Sequence, residues 1–157
     1  MVYCKLRVPP FSALCRVLLL TCIMGFASIL TSPAQAAKDR AELYRDALSA
    51  FRAKDYGQAV SIWRDLADKG HAAAQNNLGL CYLHGKGVKV DHELAHSLFS
   101  DAAERGRAAA QNNLARTFLK GWGVDRNEPE AYRWYLGAAE RGHANAQKNP
   151  GVMLLEG

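Results

Sequence analysis

Cysteine is scarce, and most of it lies at one end. Three of the four, Cys4, Cys15 and Cys22, fall in the first 22 residues, which leaves Cys81 alone in the remainder. A single thiol excludes an intramolecular disulfide framework, so the fold must be held by packing. Long apolar runs are missing too. The one at 17–30 holds 14 residues, short of the roughly 20 that span a bilayer. Excess charge is small once its position is considered. The chain carries +5, but Lys5, Arg7 and Arg16 contribute three of those charges within residues 1–36, where there is no acid, leaving +2 on 37–157. That gives no electrostatic footprint for nucleic acid. Beyond residue 36 there is no strand alternation, no Ser/His/Asp arrangement and no phosphate loop. The Gly-x-Gly stretches lack the preceding strand that a nucleotide site needs.

What is present begins with a leader. A positive start is followed by the apolar run VLLLTCIMGFASIL and then by small residues at Ala34 and Ala36. That order is the pattern of a cleaved secretory signal, with the cut expected after Ala36 and the mature protein in the periplasm or outside the cell. Membrane contact is then limited to the transient signal. A retained anchor fits less well because the run is short, and lipidation at Cys22 less well because bulky Thr21 precedes it and the run continues past it.

The remainder repeats itself every 36 residues. Residues 71–106 and 107–142 align without a gap and are identical at 17 of 36 positions. Residues 143–157 begin a third copy, and 41–70 fit the second half of the pattern behind a different first helix.

The second helix of each copy carries apolar residues at i, i+3, i+4 and i+7: Ala59, Ile62, Trp63, Leu66; then Ala95, Leu98, Phe99, Ala102; then Ala131, Trp134, Tyr135, Ala138. This spacing makes one buried stripe and predicts burial for Trp63 and Trp134 alike. Asp91 and Asn127 are N-cap residues, and Gly70, Gly106 and Gly142 stop each second helix. First helices carry Ala74, Leu78 and Tyr82, matched by Ala110, Leu114 and Phe118, and end at Gly85-Lys86-Gly87-Val88 or Gly121-Trp122-Gly123-Val124. The valine is expected to fold back into the core. Each unit is helix, Gly-x-Gly-Val loop, helix.

The motif A-x-A-Q-x-x-L-G-x-x-Y-x-x-G-x-G-V, closing on A-A-E-x-G, resembles the Sel-one-like repeat family. It stands at 72–88 with 102–106, and again at 108–124 with 138–142. Residues 41–70 look more like a tetratricopeptide unit, through Ala47, Phe51, Asp55-Tyr56, Ala59 and Trp63. The resemblance implies an all-α fold, a right-handed α-solenoid of antiparallel helix pairs over 37–157, built as a tetratricopeptide-like unit at 41–70, repeats at 71–106 and 107–142, and a truncated repeat at 143–157. It also implies an adaptor that binds another protein or peptide segment, with no cofactor. Two positions depart from the pattern. Ala115 replaces a glycine, a mild change, and Pro150 stands where Leu78 and Leu114 stand, where a helix interior rejects it by about 3 kcal/mol or more. The last repeat is therefore unfinished, and a partner, homo-association with a second copy, or a truncated reading frame are the ways to account for it.

His92-Glu93-Leu94-Ala95-His96 matches the H-E-x-x-H spacing of a metal-dependent hydrolase. Against it, Ala95 is the repeat's packing alanine, and the next copy reads Glu128-Pro129-Glu130-Ala131-Tyr132 with no third ligand in view. The β-lactam binding of cysteine-rich relatives would need paired cysteines in each repeat; here Cys81 is matched by Thr117, and its expected role is to fill core space.

What remains is a binding surface. The resemblance places it on the concave face, formed by first helices, with Asn76, Asn77, Leu80 and His84 from one copy and Asn112, Asn113, Arg116 and Lys120 from the next. Amide pairs suit an extended peptide backbone, and Arg116 with Lys120 suits acidic groups. The other reading of the Asn-Asn pairs is inter-repeat packing. Trp122, at the loop position that is Lys86 in the other copy, is a contact anchor or a cover for the end of the array.

Overall fold

A computed structural model describes residues 32–148. The chain divides into two units, 1–38 and 39–157. The apolar run at 17–30 and Pro150 lie outside the described residues.

The described part of the first unit opens a helix, α1 (Pro33–Arg52). Ser32 caps it, its hydroxyl accepting the Ala34 N–H at 3.3 Å, and Pro33 takes the first helical position, where a missing N–H costs nothing. The helix thus starts upstream of the expected cut after Ala36, because Ala34, Ala36 and Ala37 are strong helix formers.

The second unit continues with α2 (Tyr56–Asp68), α3 (Ala72–His84), α4 (His92–Glu104), α5 (Ala108–Lys120), α6 (Glu128–Glu140) and a short α7 (Ala144–Gln147). No strand occurs among the described residues. Each helix from α2 onward packs on the next, forming a solenoid of antiparallel helix pairs.

Repeating caps set the helix limits. Asp55, Asp91 and Asn127 accept the backbone N–H of Gln58, Leu94 and Glu130 at 3.1, 2.9 and 3.0 Å. Gly70, Gly106 and Gly142 have φ of 75°, 80° and 77°, and the following N–H of His71, Arg107 and His143 returns to Leu66, Ala102 and Ala138. This left-handed closure is why glycine stops each second helix.

The core is a row of three clusters, each centred on a second helix. Ala59, Ala95 and Ala131 are buried, as are Trp63, Phe99 and Tyr135. Val88 packs against the first cluster. The expected equivalence of the two helix tryptophans fails, however. Trp63 is 2 % exposed, whereas Trp134 is only half-buried, like Ile62 and Leu98 at the matching positions. That position sits at the stripe's edge, and Trp134 lines the groove over α6 together with Gln111 and Arg141.

The loops show why two glycines are needed. Gly85 and Gly121 take left-handed φ of 68° and 70° as caps. Gly87 meets a second constraint, since a Cβ there would lie 2.7 Å from the backbone carbonyl of Tyr56. Gly123 is pressed in the same way against His92. Each loop therefore seats on the first residue of the preceding second helix. Gly79 is equally confined, since a Cβ there would lie 2.7 Å from the Phe99 ring, while Ala115 one repeat later is buried without difficulty.

Candidate functional site

α3 and α5 carry the candidate residues. Asn76 is 4 % exposed and Asn112 8 %, while Asn77 and Asn113 are half-buried. The amides of Asn76, Asn77 and Asn113 bond to one another. Asn113 Nδ2 donates to Asn76 Oδ1 at 2.9 Å, Asn76 Nδ2 to Asn77 Oδ1 at 3.3 Å, and Asn77 Nδ2 to the Tyr44 hydroxyl at 3.0 Å. A polar line thus runs from α5 through α3 to α1. Half-buried Asn77 and Asn113 keep some capacity for a peptide, but part of it is already committed to holding the helices in register.

The neighbouring positions differ between repeats. Leu80 is half-buried against the second core cluster, and its counterpart Arg116 lies over the Trp122 ring, 5.6 Å from its centroid. His84 and Lys120 are exposed. Trp122 is half-buried against the second cluster and lies 6.1 Å from the His92 ring. The sequence offered two roles for it, and its position combines an apolar seat in the array with an accessible edge.

A residue the sequence reading passed over is Lys86. Its ammonium lies 5.1 Å from the Phe51 ring and 5.8 Å from the Tyr56 ring. No spacing rule marks it, because the rings belong to another unit. The motif glutamine was also missed. Gln75, Gln111 and Gln147 each donate Nε2 to the carbonyl of Ala67, Ala103 or Ala139, at 3.5, 3.4 and 3.3 Å. Recurrence in all three copies was the available signal.

The H-E-x-x-H histidines are engaged separately. His92 faces Trp122. His96 Nδ1 lies 2.8 Å from the Thr117 hydroxyl, with the Phe118 ring edge-on at 5.0 Å. Thr117 already donates its only hydroxyl proton to Leu114 O at 2.6 Å, so His96 Nδ1 must be the donor. Glu93 is exposed. Among the described residues, no three His, Cys, Asp or Glu side chains gather around a point where an ion would sit. Cys81 is buried, which pushes its thiol pKa up to about 11 and keeps it protonated rather than nucleophilic.

On the opposite side, α2, α3 and α4 enclose a groove of about 460 Å³. Arg64 bonds the Tyr82 hydroxyl at one wall, at 3.1 Å, and Leu94, 38 % exposed, forms part of another.

Residues 72–106 and 108–143 each match the Sel1 repeat family. No curated protein matches the chain. Among solved structures, a Sel1 repeat protein from Oxalobacter formigenes is 36% identical with a TM-score of 0.67, over 72% of this chain and 46% of that one. The protein c5321, a protective antigen present in uropathogenic Escherichia coli strains and displaying an SLR fold, is 34% identical with a TM-score of 0.66, over 72% of this chain and 26% of that one. The chain therefore spans less than half the length of either. Helicobacter pylori cysteine rich protein B shares the fold, at 20% identity and a TM-score of 0.55, over 69% of this chain and 92% of that one.

Proposed function

The chain belongs to the Sel1 repeat family, and from that membership we propose that it is an exported module that holds a segment of another protein on the first-helix side of its array. Proteins of this family are in general protein-interaction modules, typically scaffolds without catalysis. One observation carries the reading for this chain. Asparagine pairs that recur in both repeats, joined by the bond from Asn113 to Asn76, are flanked by positions that change from one repeat to the next: Leu80 against Arg116, His84 against Lys120, Lys86 against Trp122. A fixed register with variable neighbours is what selection among peptide segments requires. Export rests on the leader at 1–36, with the periplasm or the exterior as destination. The separate engagement of His92 and His96 favours binding over hydrolysis at that segment.

The test is capture from the envelope fraction of the exporting organism. The wild-type chain and a groove-side variant, Asp68→Lys with Asp101→Lys, should retain the same protein. Arg116→Glu with Lys120→Glu should lose it while circular dichroism stays unchanged. A folded Arg116/Lys120 variant with unaltered capture would move the contact to Trp122 or to another face of the chain, and the first-helix reading would be wrong.

A further inference from the structure

The first-helix side changes character at its loop edge. α3 and α5 run in parallel, with Asn76 against Asn113. About 3.6 residues make a turn, so two turns further on His84 comes level with Lys120, and Arg116 lies one turn below it. Two cations here are held by rings. Lys86 lies over Phe51 and Tyr56, and Arg116 over Trp122. A ring positions a cation through its face and leaves N–H groups free for another acceptor. The three ion pairs among the described residues join Arg45 to Glu42, Arg126 to Glu128 and Arg133 to Glu130, and none uses Lys86, Arg116 or Lys120. His84 is near enough to both ring-held cations to feel them: after burial, the charges that lower its pKa are those of Lys86 and Arg116, one from each repeat.

We propose that His84, Lys86, Arg116 and Lys120 form one anion-receiving edge across two repeats, and that the partner segment held there is an acidic stretch of polypeptide. This rests on the reading of the chain as a partner-binding array and adds the chemistry of the partner. Arg116 and Lys86 are pre-placed by their rings, so binding carboxylates costs little side-chain ordering. A short acidic segment fits better than a long polyanion, because residues 37–157 carry only +2 and the two ring-held cations lie at one edge. Trp122 supplies an apolar surface beside the charges.

The experiment is fluorescence anisotropy of the full chain with a labelled peptide of alternating Glu and Gly, a matched Gln and Gly peptide, and a labelled oligothymidylate. The Glu peptide should bind, and the Gln peptide should not. Raising salt from about 20 to about 200 mM should weaken the complex. Lys86→Glu with Arg116→Glu, folded by circular dichroism, should weaken it roughly tenfold or more, while the equal charge change Lys54→Glu with Lys69→Glu should not. Equal affinity for the Gln peptide, or unchanged binding by the folded Lys86/Arg116 variant, overturns the proposal. Tighter binding of oligothymidylate than of the Glu peptide overturns it in favour of a nucleic-acid ligand. Failure here with envelope-protein capture intact removes only the acidic chemistry; loss of capture with the Glu peptide still bound removes the broader function.

Discussion

Asn113 donates to the side-chain oxygen of Asn76 across 2.9 Å, and this bond joins two successive first helices at a defined register. Asn76 also donates to Asn77, so it serves two bonds in the line. Asn76→Ala should therefore strand two partners in a nearly buried place and cost about 1–3 kcal/mol in urea unfolding. Adding Asn113→Ala should cost less than Asn113→Ala does alone, with a coupling of at least about 0.5 kcal/mol. Strict additivity would show that the bond contributes nothing to stability.

The glycines separate backbone strain from crowding. Gly142 has φ of 77° and open space around its missing Cβ, so Gly142→Ala should cost about 1–2 kcal/mol, the left-handed penalty alone. Gly87→Ala adds a collision with the Tyr56 carbonyl and should cost clearly more, measured by the same denaturation midpoints. Equal losses would mean that the loop does not seat on the preceding helix.

Tryptophan substitutions test the packing directly. Trp63→Ala should cost about 3–5 kcal/mol, because the side chain is buried and few atoms can refill the space. Half-buried Trp134 and Trp122 should each lose less on truncation. Trp63→Phe should be the mildest change at that site: Phe99 fills the equivalent position, and the buried Trp63 Nε1 has no acceptor to lose. A Trp134→Ala loss as large as that of Trp63→Ala would contradict its place at the groove.

Much of this was legible in the sequence, and the limits have a physical pattern. Caps such as Asp91, Asn127 and Gly106 depend on their own few residues, so spacing revealed them. The stripe gave Trp63 its burial, but a period marks a face and not its edge, which is why Trp134 was placed too deep. The bonding of Asn77 to Tyr44, or the seat of Lys86 on Phe51, joins units with different sequences. No internal comparison exposes such contacts. The shared Asn-Asn pairs admitted both packing and recognition for the same reason: one amide has enough donors and acceptors for both.

Acid should weaken the fold. His71 and His96 have lowered pKa values, His96 through burial and His71 through burial first, with the charges of Arg107 and Arg40 acting in the same direction. Lowered folded values mean that the unfolded chain binds protons more readily, so stability rises with pH. Their contribution is complete above the unfolded value of about 6.5 and is lost as pH falls from there through the folded values. His71 adds a specific cause, because its Nδ1 caps α3 by accepting the Ala74 N–H at 3.2 Å, which a protonated ring cannot do. His71→Asn keeps a cap without a titrating group and should reduce the drop in unfolding midpoint between about pH 7.5 and pH 5.5. A drop of the same size in that variant would place the proton uptake elsewhere.

One set of contacts between units shares a direction. Gln75 reaches back to Ala67, Gln111 to Ala103, and Gln147 to Ala139; Asn113 reaches back to Asn76; the loops at Gly87 and Gly123 settle on Tyr56 and His92. Each of these fastenings is carried by the later residue and closes on an element already made, while Arg64 and His96 reach forward to Tyr82 and Thr117. A chain emerging from its amino end can consequently lock each pair in place as soon as it appears, without waiting for sequence still to come. The chain order is thus also an order in which this array can be built.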